Sequence, residues 1–281
     1  MVLARLPLEL VDLVVEEVAD HDHPRHDLLA LAEVCDTLST RCRRLIFQEM
    51  VLISPERVAE LADIIARDPA IPGYIKSVKV VCDTAVFSSS NSLVLSTLGK
   101  CPGITTLNVS LGGSYADLPS LEPWHLQLPS LRHITVDSWQ PIPYSIIEAL
   151  LSSCMEIEHL CISSYGFSRD SPYTKRRRIP VKRLTLLVLA ATEQEHVTRL
   201  RESIQKTQEL VLYLDLAESF GFARAIIATV CGSLQLIELC IKDNDATRTY
   251  RHLNLYLPIS FTFFLFFFKQ HINQPSISPA A

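Results

Sequence analysis

The stretch from Leu6 to Phe47 reads LPLELVDLVVEEVADHDHPRHDLLALAEVCDTLSTRCRRLIF and decides how the rest of the chain is interpreted. Pro7 fits the first turn of a helix, where its missing N–H costs nothing. Leu10, Val14 and Val18 recur at i, i+4 and i+8, which predicts one apolar stripe on that helix. The stretch therefore opens with an amphipathic helix.

A polar break around Pro24 separates this helix from a second one, for which Asp27 is the predicted N-cap. A third, more basic segment ends at Phe47. Three short helices make a small core, and chains this short usually need a staple, a metal or a partner. The stretch has no paired cysteines, so we expect it to dock on another surface. The apolar face of the second helix is formed by Leu28, Leu31, Cys35 and Leu38.

The stretch resembles an F-box, the segment through which F-box proteins bind the Skp-type adaptor of cullin–RING ubiquitin ligases. It departs from the family where many members carry a tryptophan after the Val-Cys pair, because Leu38 lies in that region. An ordinary three-helix start to a helical domain is the alternative. The resemblance lies in Leu6-Pro7-x-Glu9-Leu10, Val14, Val18, Asp27-Leu28-x-x-Leu31, Val34-Cys35 and Arg43-Arg44-Leu45-Ile46-Phe47. It implies adaptor binding by Leu6, Pro7, Glu9, Leu10, Val14, Val18, Leu28, Leu31, Val34 and Cys35.

The composition describes a globular chain of one large or two small domains. Of its 281 residues 48% are hydrophobic and 20% charged, so most of it can build a core. The net charge of −5 gives no general attraction to nucleic acid. The eight cysteines show no CxxC pair, and Glu9 and Asp12 interrupt any signal peptide. We expect a reducing compartment, the cytoplasm or the nucleus.

After a predicted helix that starts at Ser54-Pro55-Glu56, one pattern, apolar-x-x-apolar-x-apolar, recurs seven times. Its starts lie 29, 27, 26, 24, 26 and 27 residues apart, and this near-constant interval carries more weight than the matches themselves. Segments between the units, such as Pro143–Leu151, Glu193–Lys206 and Phe222–Val230, are predicted helices. The units are Ile75-x-x-Val78-x-Val80, Ile104-x-x-Leu107-x-Val109, Leu131-x-x-Ile134-x-Val136, Ile157-x-x-Leu160-x-Ile162, Val181-x-x-Leu184-x-Leu186, the weaker Thr207-x-x-Leu210-x-Leu212, and Leu234-x-x-Ile237-x-Leu239.

One strand and one helix per unit indicate a leucine-rich-repeat-like region, irregular because it lacks an asparagine ladder. The predicted fold class is α+β with repeats, an N-terminal three-helix F-box followed by an irregular leucine-rich-repeat-like α/β solenoid. The predicted domains are the F-box at 1–50, a linker helix at 51–73, a repeat domain of about seven units at 74–245 and an atypical apolar tail at 246–281. The tail is interpreted as mis-predicted or disordered; a capping segment and a membrane anchor are the alternatives.

Polar residues that alternate with the apolar strand positions are the candidates for a substrate-binding face. Cys101, Cys154 and Cys231 each precede a unit by three residues, which predicts small, buried structural residues. His21-x-His23-x-x-His26 and the basic run Lys175–Arg178 are interpreted as solvated loops, the latter with nuclear import or an acidic partner as alternatives. The candidate substrate-binding residues, chosen by parity alone, are Thr105, Asn108, Arg132, Thr135, Glu158 and Cys161.

The resemblance implies a substrate-recognition subunit of a Skp–cullin–F-box ubiquitin ligase, which bridges the adaptor and a target protein. No nucleotide-binding or catalytic motif occurs, so we expect no enzyme activity, cofactor or metal. Expected partners are the Skp-type adaptor, through it a cullin–RING ligase, and a protein substrate, without nucleic acid or membrane. The alternative is a non-ligase leucine-rich-repeat scaffold whose N-terminal helices cap the solenoid.

Overall fold

The computed structural model describes residues 7–20, 24–83, 93–112, 128–152, 154–164, 167–168, 181–188, 204, 206–214, 219–242 and 250–256. The chain divides into two compact units, Met1–Ile179 and Pro180–Ala281. Both units consist of helices and mostly parallel β-strands.

Three helices open the first unit and share a core of their own. Helix α1 is Leu8–Ala19, α2 is Pro24–Ala32 and α3 is Asp36–Gln48. Each contacts the other two. The second predicted helix is shorter than expected, because Cys35 is extended and forms the N-cap of α3. The buried core of the three helices consists of Val11, Val15, Leu28, Leu38 and Cys42.

The chain passes directly from α3 into the first strand, β1, at Glu49–Leu52. Helix α4, Pro55–Arg67, agrees with the predicted linker helix. Its N-cap is Ser54, whose Oγ accepts a hydrogen bond of 3.4 Å from the Arg57 N–H. The short helix α5, Ile71–Tyr74, follows, and both α3 and α4 contact α5 and β1.

A parallel sheet forms the rest of the first unit. Its strands β1, β2, β3, β4 and β6 pair as neighbours in that order, and all of them are parallel. Helices α6 and α7 precede β3 and β6, and the short strands β5 and β7 form a separate parallel pair. The bounds are β2 Ser77–Asp83, α6 residues 93–99, β3 Thr106–Gly112, β4 His133–Ser138, β5 Ile142–Pro143, α7 Tyr144–Ser152, β6 Ile157–Ser164 and β7 Phe167–Ser168.

One face of this sheet is buried and the other is half-exposed. Burial alternates strictly along β3 and β4, with every second residue buried. In register, Val78, Leu107, Ile134 and Leu160 form one continuous buried row across β2, β3, β4 and β6. The period of two along each strand therefore sends the apolar residues into the core and leaves polar residues on the other face.

The second unit also contains parallel strands and a helix, but its last strand is antiparallel. Strands β8, Val181–Val188, β9, Glu209–Leu214, and β10, Leu236–Lys242, are parallel neighbours. Helix α8, Ser219–Val230, lies between β9 and β10 in sequence and contacts β9. The last strand, β11 at Tyr250–Tyr256, pairs with β10 in the antiparallel direction.

The fold class predicted from the sequence is wrong. All seven apolar units do contribute strands, but these strands belong to an α/β fold of parallel strands and helices, not to an F-box followed by a solenoid. The first strand of the sheet is β1, which pairs with β2. It follows α3 directly, with no linker residues between them. Neither β1 nor β11 is predicted from the sequence, since Glu49–Leu52 is too short to show a period and Tyr250–Tyr256 lies in the segment assigned to the tail.

Candidate docking surfaces

Helix α1 carries apolar side chains on two sides. Val11 and Val15 are buried in the three-helix core at 5% and 2% exposure. Leu10, Leu13 and Val14 are 45%, 59% and 42% exposed. Their spacing of i, i+3 and i+4 makes them neighbours on the helix surface. We call the exposed residues Pro7, Leu10, Leu13 and Val14 the α1 patch.

Single exposed apolar side chains are common on protein surfaces and need no explanation. Adjacent exposed apolar side chains on one helix are different, because contiguous apolar surface marks sites of association. The helix that carries the α1 patch is held in the three-helix core by the buried residues Val11 and Val15. The α1 patch is therefore a preformed candidate docking surface.

Two partly exposed salt bridges connect the helical segment to itself and to the residue after α4. Arg41 Nη1 lies 2.7 Å from Asp12 Oδ1 and connects α3 to α1. Arg43 Nη1 lies 3.3 Å from Asp68 Oδ2, just beyond the end of α4. All four side chains are between about a third and a half exposed. Exposed pairs of this kind contribute roughly 0–1 kcal/mol, so apolar packing carries most of the stability.

The structure separates the predicted adaptor-binding residues into different environments. Leu28 is buried and serves the fold, because it is part of the three-helix core. Leu6 lies outside the described residues. The predicted stripe also divides, since Val18 packs partly against the core while Leu10 and Val14 face outward. Of the remainder, Pro7, Glu9 and Val34 are exposed, and Leu31 and Cys35 are half-buried.

Three exposed leucines are not among the adaptor-binding residues predicted from the sequence. Leu8, Leu13 and Leu29 are 55%, 59% and 51% exposed. The available signal was spacing, because Leu13 lies three residues after Leu10 and one residue before Val14. An i, i+4 pattern taken alone favours one stripe and passes over the i+3 neighbour.

The predicted substrate-binding residues lie in two rows of the first unit's sheet, and only the second row is on its half-exposed face. The Arg132 N–H donates to the Thr105 carbonyl oxygen, and the Glu158 N–H donates to the Arg132 carbonyl oxygen, each over 2.9 Å. These three residues therefore form one row at the beginning of the strands. A second row is formed by Asn108, Thr135 and Cys161, which are partners in register across β3, β4 and β6.

This polar face holds further residues that the sequence analysis does not select. His133 and His159 are register partners on β4 and β6, and His133 Nε2 lies 3.7 Å from Glu158 Oε2. Asp137 follows Thr135 by two residues and shares its parity. Trp139 follows β4 and is 78% exposed. Parity, continued past Thr135, was the signal that could have found the last two.

Two of the three cysteines that precede a repeat unit have a structural role in packing. Cys101 and Cys154 are buried, and their Sγ–H groups donate to the carbonyl oxygens of Thr97 and Leu150. Burial raises the pKa of Cys101 to about 11 and that of Cys154 to about 12. Both thiols stay protonated at neutral pH and are poor nucleophiles. Their predicted structural role is confirmed, whereas Cys231 is exposed and the prediction of burial is wrong there.

Cys161 and Cys42 follow the same rule. Burial, with a smaller contribution from the Asp137 carboxylate, raises the pKa of Cys161. Burial also raises the pKa of Cys42 in the three-helix core. Neither thiol is activated for chemistry.

Among the described residues, no group of three or more His, Cys, Asp and Glu side chains is placed to hold a metal ion. In the same ranges, no helix is long and apolar enough to cross a membrane. His21, His23, the basic run Lys175–Arg178 and the tail from residue 257 lie outside the described residues. No protein-family model matches the chain, nor does any curated protein or solved structure.

Proposed function

We propose that the chain is a substrate-recognition subunit of a Skp–cullin–F-box ubiquitin ligase. In this role the helical segment α1–α3 binds the Skp-type adaptor, and the half-exposed face of the sheet binds the target protein. The chain itself performs no chemistry. It holds the target near the ligase and so raises the effective concentration of the target there.

The observation that supports the proposal is the exposed apolar surface of α1. Leu10, Leu13 and Val14 are between 42% and 59% exposed, although the same helix already buries Val11 and Val15. A helix that only completes a core needs one apolar side. Burying one aliphatic side chain of the patch contributes roughly 1.5–3 kcal/mol, so a few such residues suffice for a specific complex.

A binding experiment with the full chain and a purified Skp-type adaptor tests this role. We expect wild type to retain the adaptor in a pull-down and Leu10→Glu/Val14→Glu to lose it, because two charges would be buried without partners. Ile53→Glu is the matched control, since Ile53 is 57% exposed and lies outside α1–α3. Circular dichroism of the three proteins checks that each is folded.

Retention by wild type and Ile53→Glu together with loss in the double variant supports the proposal. A folded wild type that does not bind the adaptor contradicts it. That outcome favours the alternative, a non-ligase interaction scaffold whose N-terminal helices cover the start of the sheet. The contacts of α3 with β1 and α5 are the observation in favour of the alternative.

A further inference from the structure

Trp139 is the most exposed large hydrophobic side chain among the described residues. Its exposure is 78%, and it directly follows strand β4 of the first unit. Tryptophan has more apolar surface area than any other side chain. Burying that area against a partner would therefore contribute a large favourable free energy. Exposed tryptophans are also among the residues that dominate the energetics of interfaces. Trp139 is therefore a candidate contact residue for a binding partner.

The turn that carries Trp139 is fixed by two buried serines. The Ser138 Oγ–H donates to the Gln140 carbonyl oxygen over 2.9 Å, and the Gln140 N–H donates to Ser138 Oγ over 3.1 Å. Ser164 of β6 donates to the same carbonyl oxygen over 3.1 Å. Ser138 and Ser164 are 6% and 1% exposed. The indole is thus presented from an ordered turn, and little backbone entropy is lost when a ligand binds.

The surroundings of Trp139 on the sheet are polar and include the carboxylate of Asp137. The burial alternation of β4 continues through the turn, with Asp137 half-exposed, Ser138 buried and Trp139 exposed. In register, Ser110 and Ser163 flank Asp137 on the two neighbouring strands. Among the described residues, the Asp137 carboxylate takes part in no salt bridge or side-chain hydrogen bond, so it is available to a ligand.

Register and burial alternation place Asp137 on the half-exposed face of the sheet, close to Cys161 of β6. The Asp137 carboxylate contributes, after burial, to the raised pKa of the Cys161 thiol. The cationic residue Lys79 and the histidine His133 lie in rows nearer the beginning of the strands. Asp137 is the one charged residue in its own row, which also contains Val81, Ser110 and Ser163.

We propose that Asp137 and Trp139 form a binding site for an arginine side chain of a partner protein. The planar guanidinium stacks on the exposed indole face and donates hydrogen bonds to the carboxylate. Lysine fits less well, because its ammonium is a compact point charge that cannot stack. The site does not require the proposed adaptor role, since it lies on the sheet and not on α1–α3.

Nuclear magnetic resonance of the full chain tests the site with a defined probe, the peptide acetyl-Gly-Ser-Arg-Ser-Gly-amide. The chain has two tryptophans, so Trp139→Phe assigns the indole N–H signal of Trp139. We expect a saturable shift of this signal with the arginine peptide. Replacing arginine with neutral citrulline should weaken binding roughly fivefold, and Asp137→Asn should weaken it by about the same factor.

Asp63→Asn is the matched control, because it makes the same substitution at an exposed aspartate that lies on helix α4 and not on the sheet. It should leave the affinity unchanged. The proposal is overturned if the arginine peptide causes no shift, if citrulline binds equally well, or if Asp137→Asn binds as wild type does. Each of these outcomes is independent of whether the adaptor binds α1.

Discussion

Strand β4 and helix α1 belong to the same unit but use their apolar residues differently. In β4 the apolar residues Ile134 and Val136 are both buried, and the alternating polar residues face outward. In α1, Val11 and Val15 are buried while Leu10 and Val14 stay exposed. The strand buries its apolar side chains, whereas the helix leaves part of its apolar surface exposed. This exposed surface is the reason for proposing that α1 docks on a partner.

The largest effect is expected in the strand. Ile134→Ala should lower the free energy of unfolding by about 2–5 kcal/mol, since Ile134 is only 1% exposed and its truncation leaves a cavity. Thr135→Ala, one residue further on the opposite face, should change it by less than about 0.5 kcal/mol. Urea unfolding of both variants measures the difference. Equal losses would show that the sheet has no exposed face.

The same comparison in helix α1 distinguishes a residue that stabilises the fold from one that contributes to adaptor binding. Val15→Ala should lower the free energy of unfolding by roughly 1.5–3 kcal/mol, because Val15 is buried in the three-helix core. Val14→Ala should leave the stability within about 0.5 kcal/mol of wild type and should weaken adaptor binding. Urea unfolding and an adaptor titration on the same samples give both numbers. A Val14→Ala protein that is destabilised as much as Val15→Ala would place Val14 in the core.

The buried thiol of Cys154 predicts a pH dependence. Its pKa is raised by burial from 9.0 to about 12, so the folded state holds the proton more tightly than the unfolded chain does. The contribution to stability is complete below pH 9 and is lost as the pH rises toward 12. Between about pH 8 and about pH 11, wild type should therefore lose more stability than Cys154→Ala. Identical pH profiles for the two proteins would contradict this account of the thiol.

The smallest effect is expected from the pair that connects α1 to α3. A double-mutant cycle with Asp12→Asn and Arg41→Gln should give a coupling energy of roughly 0.2–1 kcal/mol, since both side chains are about a third exposed. The coupling should fall as the salt concentration rises. A value well above this range would mean that charge, more than apolar packing, holds α1 on α3.

The strands were the most predictable part of the molecule. Val78, Leu107, Ile134 and Leu160 occupy equivalent places in the sequence pattern, and the structure aligns them in one buried row. A strand whose apolar residues alternate with polar ones has a single apolar face, and that face is the one that is buried. The recurring spacing then located the seven strands of the apolar units, although it led to the wrong fold class.

The docking surfaces were less predictable, for a physical reason. Leu10 and Val14 have the same i, i+4 spacing as Val11 and Val15, so periodicity alone could not decide which pair is buried. The decision is made by Leu28, Leu38 and Cys42, which pack against one side of α1 only. Parity continued past Thr135 could have indicated Trp139, but the hydrogen bonds of Ser138 and Ser164 that order its turn could not be predicted, because no local pattern encodes a contact between two strands.

The central claim is that the exposed side of α1 is a docking surface for the adaptor. Placing a photo-activatable amino acid at position 13 tests it directly, because Leu13 is 59% exposed and lies in the middle of the α1 patch. Irradiation with the purified Skp-type adaptor should give a crosslink from position 13 and none from position 53, where Ile53 is equally exposed outside the helical segment. Absence of a crosslink from position 13 in a folded protein, or equal crosslinking from both positions, would contradict the claim.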